Sequence, residues 1–196
     1  MPTLLLMLAP PNYDNLMPEI VDALTLHYRK WVAEHSGEKI YAYVIYPVPL
    51  IAAIGISVLT EQGLKQVARE YKTKHGYEQS LEQLAIDLRW SVAATPYCGD
   101  YLEIFDSVNE RLEGMLSYVD SLEINDPAFD THYETLESTL VRALNYFRLE
   151  VLGGATRPIL YVDFGDMSDE DRLRFIKLCN TPEMVNWYLA TNKKAS

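Results

Sequence analysis

Apolar residues along this chain fall into two kinds of run. From Lys39 to Thr60, KIYAYVIYPVPLIAAIGISVLT, they are nearly continuous, in blocks Ile40–Tyr46 and Leu50–Val58 parted by Pro47-Val48-Pro49. A strand with one wet face would alternate polar and apolar, because its side chains point to opposite faces in turn. Unbroken runs rich in Val, Ile and Tyr predict instead strands covered on both faces. The two prolines fix φ and remove backbone donors, so they end one strand and open the next.

Elsewhere the apolar residues recur every three or four positions, the spacing of one helix face. Ile20, Leu24, Tyr28, Trp31 and Val32 predict a helix from Leu16 to Glu34, with Asn15 at its N-cap, Pro18 in its first turn and Gly37 ending it. Residues 1–15 before it read as a short edge strand or a docked arm. Leu64, Val67, Ala68 and Tyr71 follow Thr60 on a helix ending near His75-Gly76. Ser80 caps a shorter one carrying Leu81, Leu84, Ala85 and Leu88. Trp90 to Gly99 has no helical period and reads as a loop or a short strand.

Two long amphipathic helices follow. Phe105, Val108, Leu112, Met115, Leu116, Val119 and Leu122 mark the first. Phe129, Tyr133, Leu136, Leu140, Leu144, Phe147 and Val151 mark the second, which begins at Asp126-Pro127 and stops at Gly153-Gly154. The short connection between them predicts an antiparallel helical hairpin. Arg157–Phe164 reads as a third strand. Ser168 then caps a helix with Leu173, Ile176 and Leu178 inward, and Thr181-Pro182 opens the last one. With no internal repeat or dividing linker, the chain is expected to be one domain over 1–196. Its fold class is α+β, helix-rich, around a small mixed or antiparallel sheet.

Charge changes this picture in one place. The net charge is −11, and residues 99–138 hold eleven acids against the single base Arg111, which leaves that fifth of the chain at −10. Glu103, Asp106, Glu110, Glu113, Ser117 and Asp120 step by three and four residues, so five carboxylates share one face opposite the apolar stripe. A face stabilised only locally would interleave lysines. Acids at these spacings cost a few tenths of a kcal/mol per like-charged pair. Such a face repels nucleic acid and suits a basic protein partner, so Glu103, Asp106, Glu110, Glu113 and Asp120 are the expected partner-binding residues. The competing reading is a merely solvated face.

The other chemistry is sparser. Asp163, Asp166, Asp169, Glu170 and Asp171 gather after a strand end, where hard cations are often held. An N-capped helix with acids in its first turn explains most of them. The alternative function that this cluster supports is a metal-dependent hydrolase using Asp163 and Asp166. His27, His35, His75 and His132 share no ligand spacing, and no phosphate-binding loop, nucleophile elbow or zinc motif is present. No cofactor or resident metal is therefore expected. Cys98 and Cys179 lie far apart, which fits reduced thiols in the cytoplasm. Leu4–Leu8 is too short for a membrane span or a signal core, and a mean hydropathy of −0.10 adds no membrane character.

Several stretches together resemble the bacterial domain of unknown function 4303 family. They are Glu38-Lys39-Ile40-Tyr41-Ala42-Tyr43 after a helix, Leu59-Thr60-Glu61-Gln62-Gly63-Leu64, Leu88-Arg89-Trp90-Ser91 with Pro96-Tyr97, and the Ile159–Asp166 strand. The likeness runs from Ala23 to Asp166, and Pro47-Val48-Pro49 departs from the more polar turn expected there. The resemblance implies a bacterial cytoplasmic α+β domain and no catalytic residues to carry over. Small acidic domains of this kind look like the immunity proteins of toxin systems, an analogy that favours a non-enzymatic binding module. A self-associating structural domain is the third reading.

Overall fold

A computed structural model describes residues 11–48, 51–122, 126–165 and 167–192. The expected strand or arm over residues 1–15 falls mostly outside that range, as does Asp166. Three strands form one sheet: β1 (Ile40–Pro47), β2 (Ile54–Thr60) and β3 (Ile159–Val162). Their order is β2-β1-β3, with β1 antiparallel to β2 and parallel to β3, so the sheet is mixed. Tyr43 and Val44 in the middle of β1 are wholly buried, as the unbroken apolar run requires. β2 starts at Ile54 rather than Leu50, because Ile51 occupies a turn at φ 53° while its side chain stays in the core.

The two sheet faces are covered by different elements. Helices α1 (Leu16–Glu34), α4 (Asp106–Val119) and α5 (Pro127–Tyr146) supply one cover. There Tyr43 stacks on Phe147 with ring centres 5.6 Å apart, and Phe105 and Leu24 complete the fill. The other cover comes from α3 (Leu81–Leu88), the segment after it and α7 (Pro182–Thr191), through Trp90, which meets Tyr41 and Tyr188 at 5.5 and 4.7 Å. A register shift between Ile40 and Ala42 puts an extra residue in β1. The bulge re-aims Tyr41 to the Trp90 side, where its hydroxyl donates to the Arg89 carbonyl, whereas Tyr43 reaches α1. α2 (Glu61–Lys74) pairs with α3, and α6 (Asp169–Cys179) lies along β3.

Of the predicted caps, Ser80 and Ser168 are present, and Thr60 and Asp126 act as caps as well; each accepts a backbone N–H in the following turn. Asn15 is not one of them. It sits at φ 64° with no side-chain cap bond, and only its carbonyl serves the helix, accepting from Glu19. Thr181 likewise offers no side-chain cap. Val32 and Leu178 are exposed, because the buried lines run Leu24–His27–Trp31 and Phe175–Ile176–Cys179 and each falls beside its line. The hairpin is corrected too. Among the described residues α4 and α5 each lean on α1 and scarcely on each other.

Both sheet margins are served by side-chain amides. Asn109 of α4 accepts from the Ile54 N–H at 2.8 Å and donates to its carbonyl at 3.2 Å. Further along β2, Tyr97 and Gly99 pair with Val58 and Ile56. On β3, Asn180 exchanges the same two bonds with Leu160.

Candidate functional site

α4 carries the expected acidic face, and its surroundings decide what that face can do. Phe105, Val108, Leu112, Met115 and Val119 are buried, which turns Asp106, Glu110, Glu113 and Asp120 to solvent. Asn109 fixes the helix against the start of β2. Asp106, Glu110 and Glu113 thereby line an open groove of about 420 Å³ floored by Ala52, Ala53 and Leu116. Asp120 lies at the far end of α4 and does not line it. Glu103 belongs to a 3₁₀ turn (Leu102–Phe105) ahead of the helix, where Lys30 pairs with it at 3.1 Å. Its own backbone N–H and then Lys30 hold its carboxyl below the usual range.

Cations are scarce along this face. Arg111, the one base in the segment, turns away to Glu19 at 2.7 Å and to the carbonyls of Asn12 and Asp14. Among the described residues no cation pairs with Asp106, Glu110, Glu113 or Asp120. Three carboxylates on successive turns beside a groove make a surface able to hold a row of ammonium or guanidinium groups, with little desolvation on either side.

A second concavity, of about 640 Å³, opens where β1 and β3 end together, the position at which parallel strands commonly present ligand sites. Sequence spacing gave no hint of it beyond Asp163 and Asp169, because its walls come from several separated stretches. Tyr46, Trp90 and Phe164 supply aromatic surface, and Asp87, Asp163, Asp169 and Arg172 supply charge. Asp163 is buried, accepts from the Gly165 N–H at 2.9 Å and receives Arg172 Nε at 3.1 Å. Arg172 also reaches Asp169 at 3.2 Å. Asp163 is thus committed to an ion pair, and its proposed companion Asp166 lies outside the described residues. Asp171 and Ser168 serve the α6 cap, as the helix reading of that acidic cluster expects. No group of three or more His, Cys, Asp or Glu side chains placed to hold a metal occurs among the described residues.

Cys98 faces this cavity and is exposed, with Tyr46 beside it; burial, followed by the Cys98 thiol, pushes the Tyr46 hydroxyl up to about 12. Cys179 is buried, which pushes its thiol up to about 12. No described helix is long and apolar enough to cross a membrane.

A family model described as a domain of unknown function (DUF4303) matches residues 20–181 of the chain. Neither the curated proteins nor the solved structures include one that matches.

Proposed function

The chain belongs to the DUF4303 family, and on that premise we propose that it is a non-enzymatic binding module that offers the acidic face of α4 to a basic protein. One observation carries this reading: Asp106, Glu110 and Glu113 border an open groove with no neutralising cation among the described residues, while Arg111, the only base of the segment, is turned elsewhere. A field of that sign accelerates encounter with a cationic partner and disfavours nucleic acid. The sharpest version is an immunity-like protein that neutralises a cationic toxin in the bacterial cytoplasm.

The test compares wild type with a Glu110→Lys, Glu113→Lys variant. Both should melt alike, because exposed charges contribute little to stability. In a pull-down from the source lysate at low salt, wild type should recover a basic protein that elutes as salt rises, and the variant should lose it. With the recovered partner, the variant's association rate should fall by about tenfold or more and lose most of its salt dependence. Recovery of the same partners by both proteins at every salt concentration would reduce the stripe to a solvated face.

A further inference from the structure

A third concavity, of about 340 Å³, lies where the start of α2, α3, α7 and Arg157 ahead of β3 meet, and its charge is opposite to that of the chain. Two arginines, Arg89 and Arg157, line it against the single carboxylate of Glu61, which leaves a formal +1 on a protein at −11. Glu61 is committed through both its oxygens to Arg89. Arg157 is exposed, and among the described residues it has neither an ion pair nor a hydrogen bond. Trp187 holds it instead: the Arg157 guanidinium lies 3.9 Å from the centre of that ring, and Arg89 stands 5.6 Å from the same ring. A guanidinium resting on a ring face keeps its N–H donors at its edge, in a fork that matches two oxygens of one carboxylate. Arg89 adds a buried Nε with no acceptor among the described residues, so the groove is short of acceptors and not of donors. Ala85 and the exposed Ile86 give the groove an apolar wall beside these charges.

We infer that this groove binds a small organic monoanion, a carboxylate joined to a compact apolar body. Arg157 takes the carboxylate through paired N–H···O bonds, and Arg89 attracts it at longer range without leaving Glu61. Ile86, Ala85 and Trp187 take the body, and the volume suits a ligand of that size. The single positive surplus matches one negative charge. The site does not depend on the α4 face, so either can fail without the other.

Three probes with one body separate the contributions: 3-phenylpropionate (carboxylate), 3-phenylpropanol (neutral) and 3-phenylpropylamine (ammonium). Chemical-shift titration of the full chain, followed at its indole N–H signals, should give 3-phenylpropionate an affinity about five- to tenfold above the alcohol, with the amine weakest. That order is the reverse of what the net charge of the chain alone would produce. Arg157→Gln should bring 3-phenylpropionate down to the level of the alcohol and leave the alcohol unchanged. Arg157→Lys, which keeps the charge but not the fork, should recover only part of the difference. Ile86→Ser should weaken both probes alike. Arg157 and Ile86 are exposed, so these variants should melt as wild type does. Lys65→Gln, on the exposed side of α2 and outside the groove, should bind as wild type does. The assignment is overturned if the amine matches 3-phenylpropionate, or if Arg157→Gln binds 3-phenylpropionate unchanged. It is also overturned if no indole signal moves with 3-phenylpropionate at about 10 mM.

Discussion

His27 shows how much one side chain can depend on residues far from it. It is fully buried in α1, and its Nε2 lies 3.0 Å from the Asp100 carbonyl, which can only accept. The proton therefore sits on Nε2, and Nδ1 accepts from the Tyr43 hydroxyl at 2.6 Å. Burial lowers the ring's pKa to about 4 from 6.5, against smaller opposing effects of Asp100 and Glu103. The sign follows from linkage. The unfolded chain takes up a proton near the ordinary value, and the folded protein does not until the pH is far lower. Stability from this group is complete above pH ~6.5 and drains as pH falls to about 4, at roughly 1.4 kcal/mol per unit and on the order of 3 kcal/mol in all. Denaturant titrations at several pH values across that window should show a slope in wild type that His27→Gln lacks. Equal slopes would assign the acid sensitivity to other groups. The sequence placed His27 on a helix but not in this pair. Its partners are 16 and 73 residues away, and no spacing rule joins them.

At the scale of elements, the stop at Gly153-Gly154 was legible and the turn before it was not. Both glycines adopt positive φ, 61° and 70°, as a helix end requires. Just before them, Phe147–Val151 forms a π turn, closed by the Leu152 N–H to the Phe147 carbonyl at 3.1 Å. Leu140, Leu144, Phe147 and Val151 keep the three-and-four spacing of an ordinary helix, so the pattern did not reveal the extra residue. The turn presents Arg148, which is buried and meets no carboxylate among the described residues. It donates from Nε to the Cys179 carbonyl at 2.9 Å and from Nη2 to Asn180 Oδ1 at 2.7 Å, tying α5 to the α6–α7 junction. Replacing a buried ion with an apolar side chain is often harmless, but here the Cys179 carbonyl would stay buried without its donor. Arg148→Met should therefore cost about 2–4 kcal/mol by denaturant unfolding. A loss below about 0.5 kcal/mol would mean the junction is held by apolar packing alone. The exposure of Asp106, Glu110, Glu113 and Asp120 was readable, since exposure on an amphipathic helix follows from its apolar side, whereas Glu103 falls in the 3₁₀ turn before α4 and pairs with Lys30. The close pairing of α4 and α5 was misread because a short loop fixes which helices follow one another, not which of them pack together.

At the scale of the whole molecule, the two-faced burial of β1 could be read from its unbroken apolar run. The parallel pairing of β3 could not, because strand order depends on contacts across more than a hundred residues. The cavity was hidden for the same reason: it exists only where β1 and β3 end side by side. The sheet's margins are finished by amide side chains, and this has a measurable consequence. In Asn109→Leu the Ile54 N–H and carbonyl lose both partners, so unfolding free energy should drop by about 1–3 kcal/mol. The same variant should sediment as larger species as its concentration rises, because an unpaired strand edge recruits another. A variant that stays monomeric and fully stable would show that α4 is held without the amide. Where Asn109, Tyr97, Gly99 and Asn180 already answer the sheet's margins, a visitor cannot join by borrowing main-chain bonds, which are the same for every sequence. Whatever associates with this protein must read its side chains, and side chains are what single substitutions rewrite. Its choice of company can therefore drift one residue at a time while the three layers beneath remain as they are.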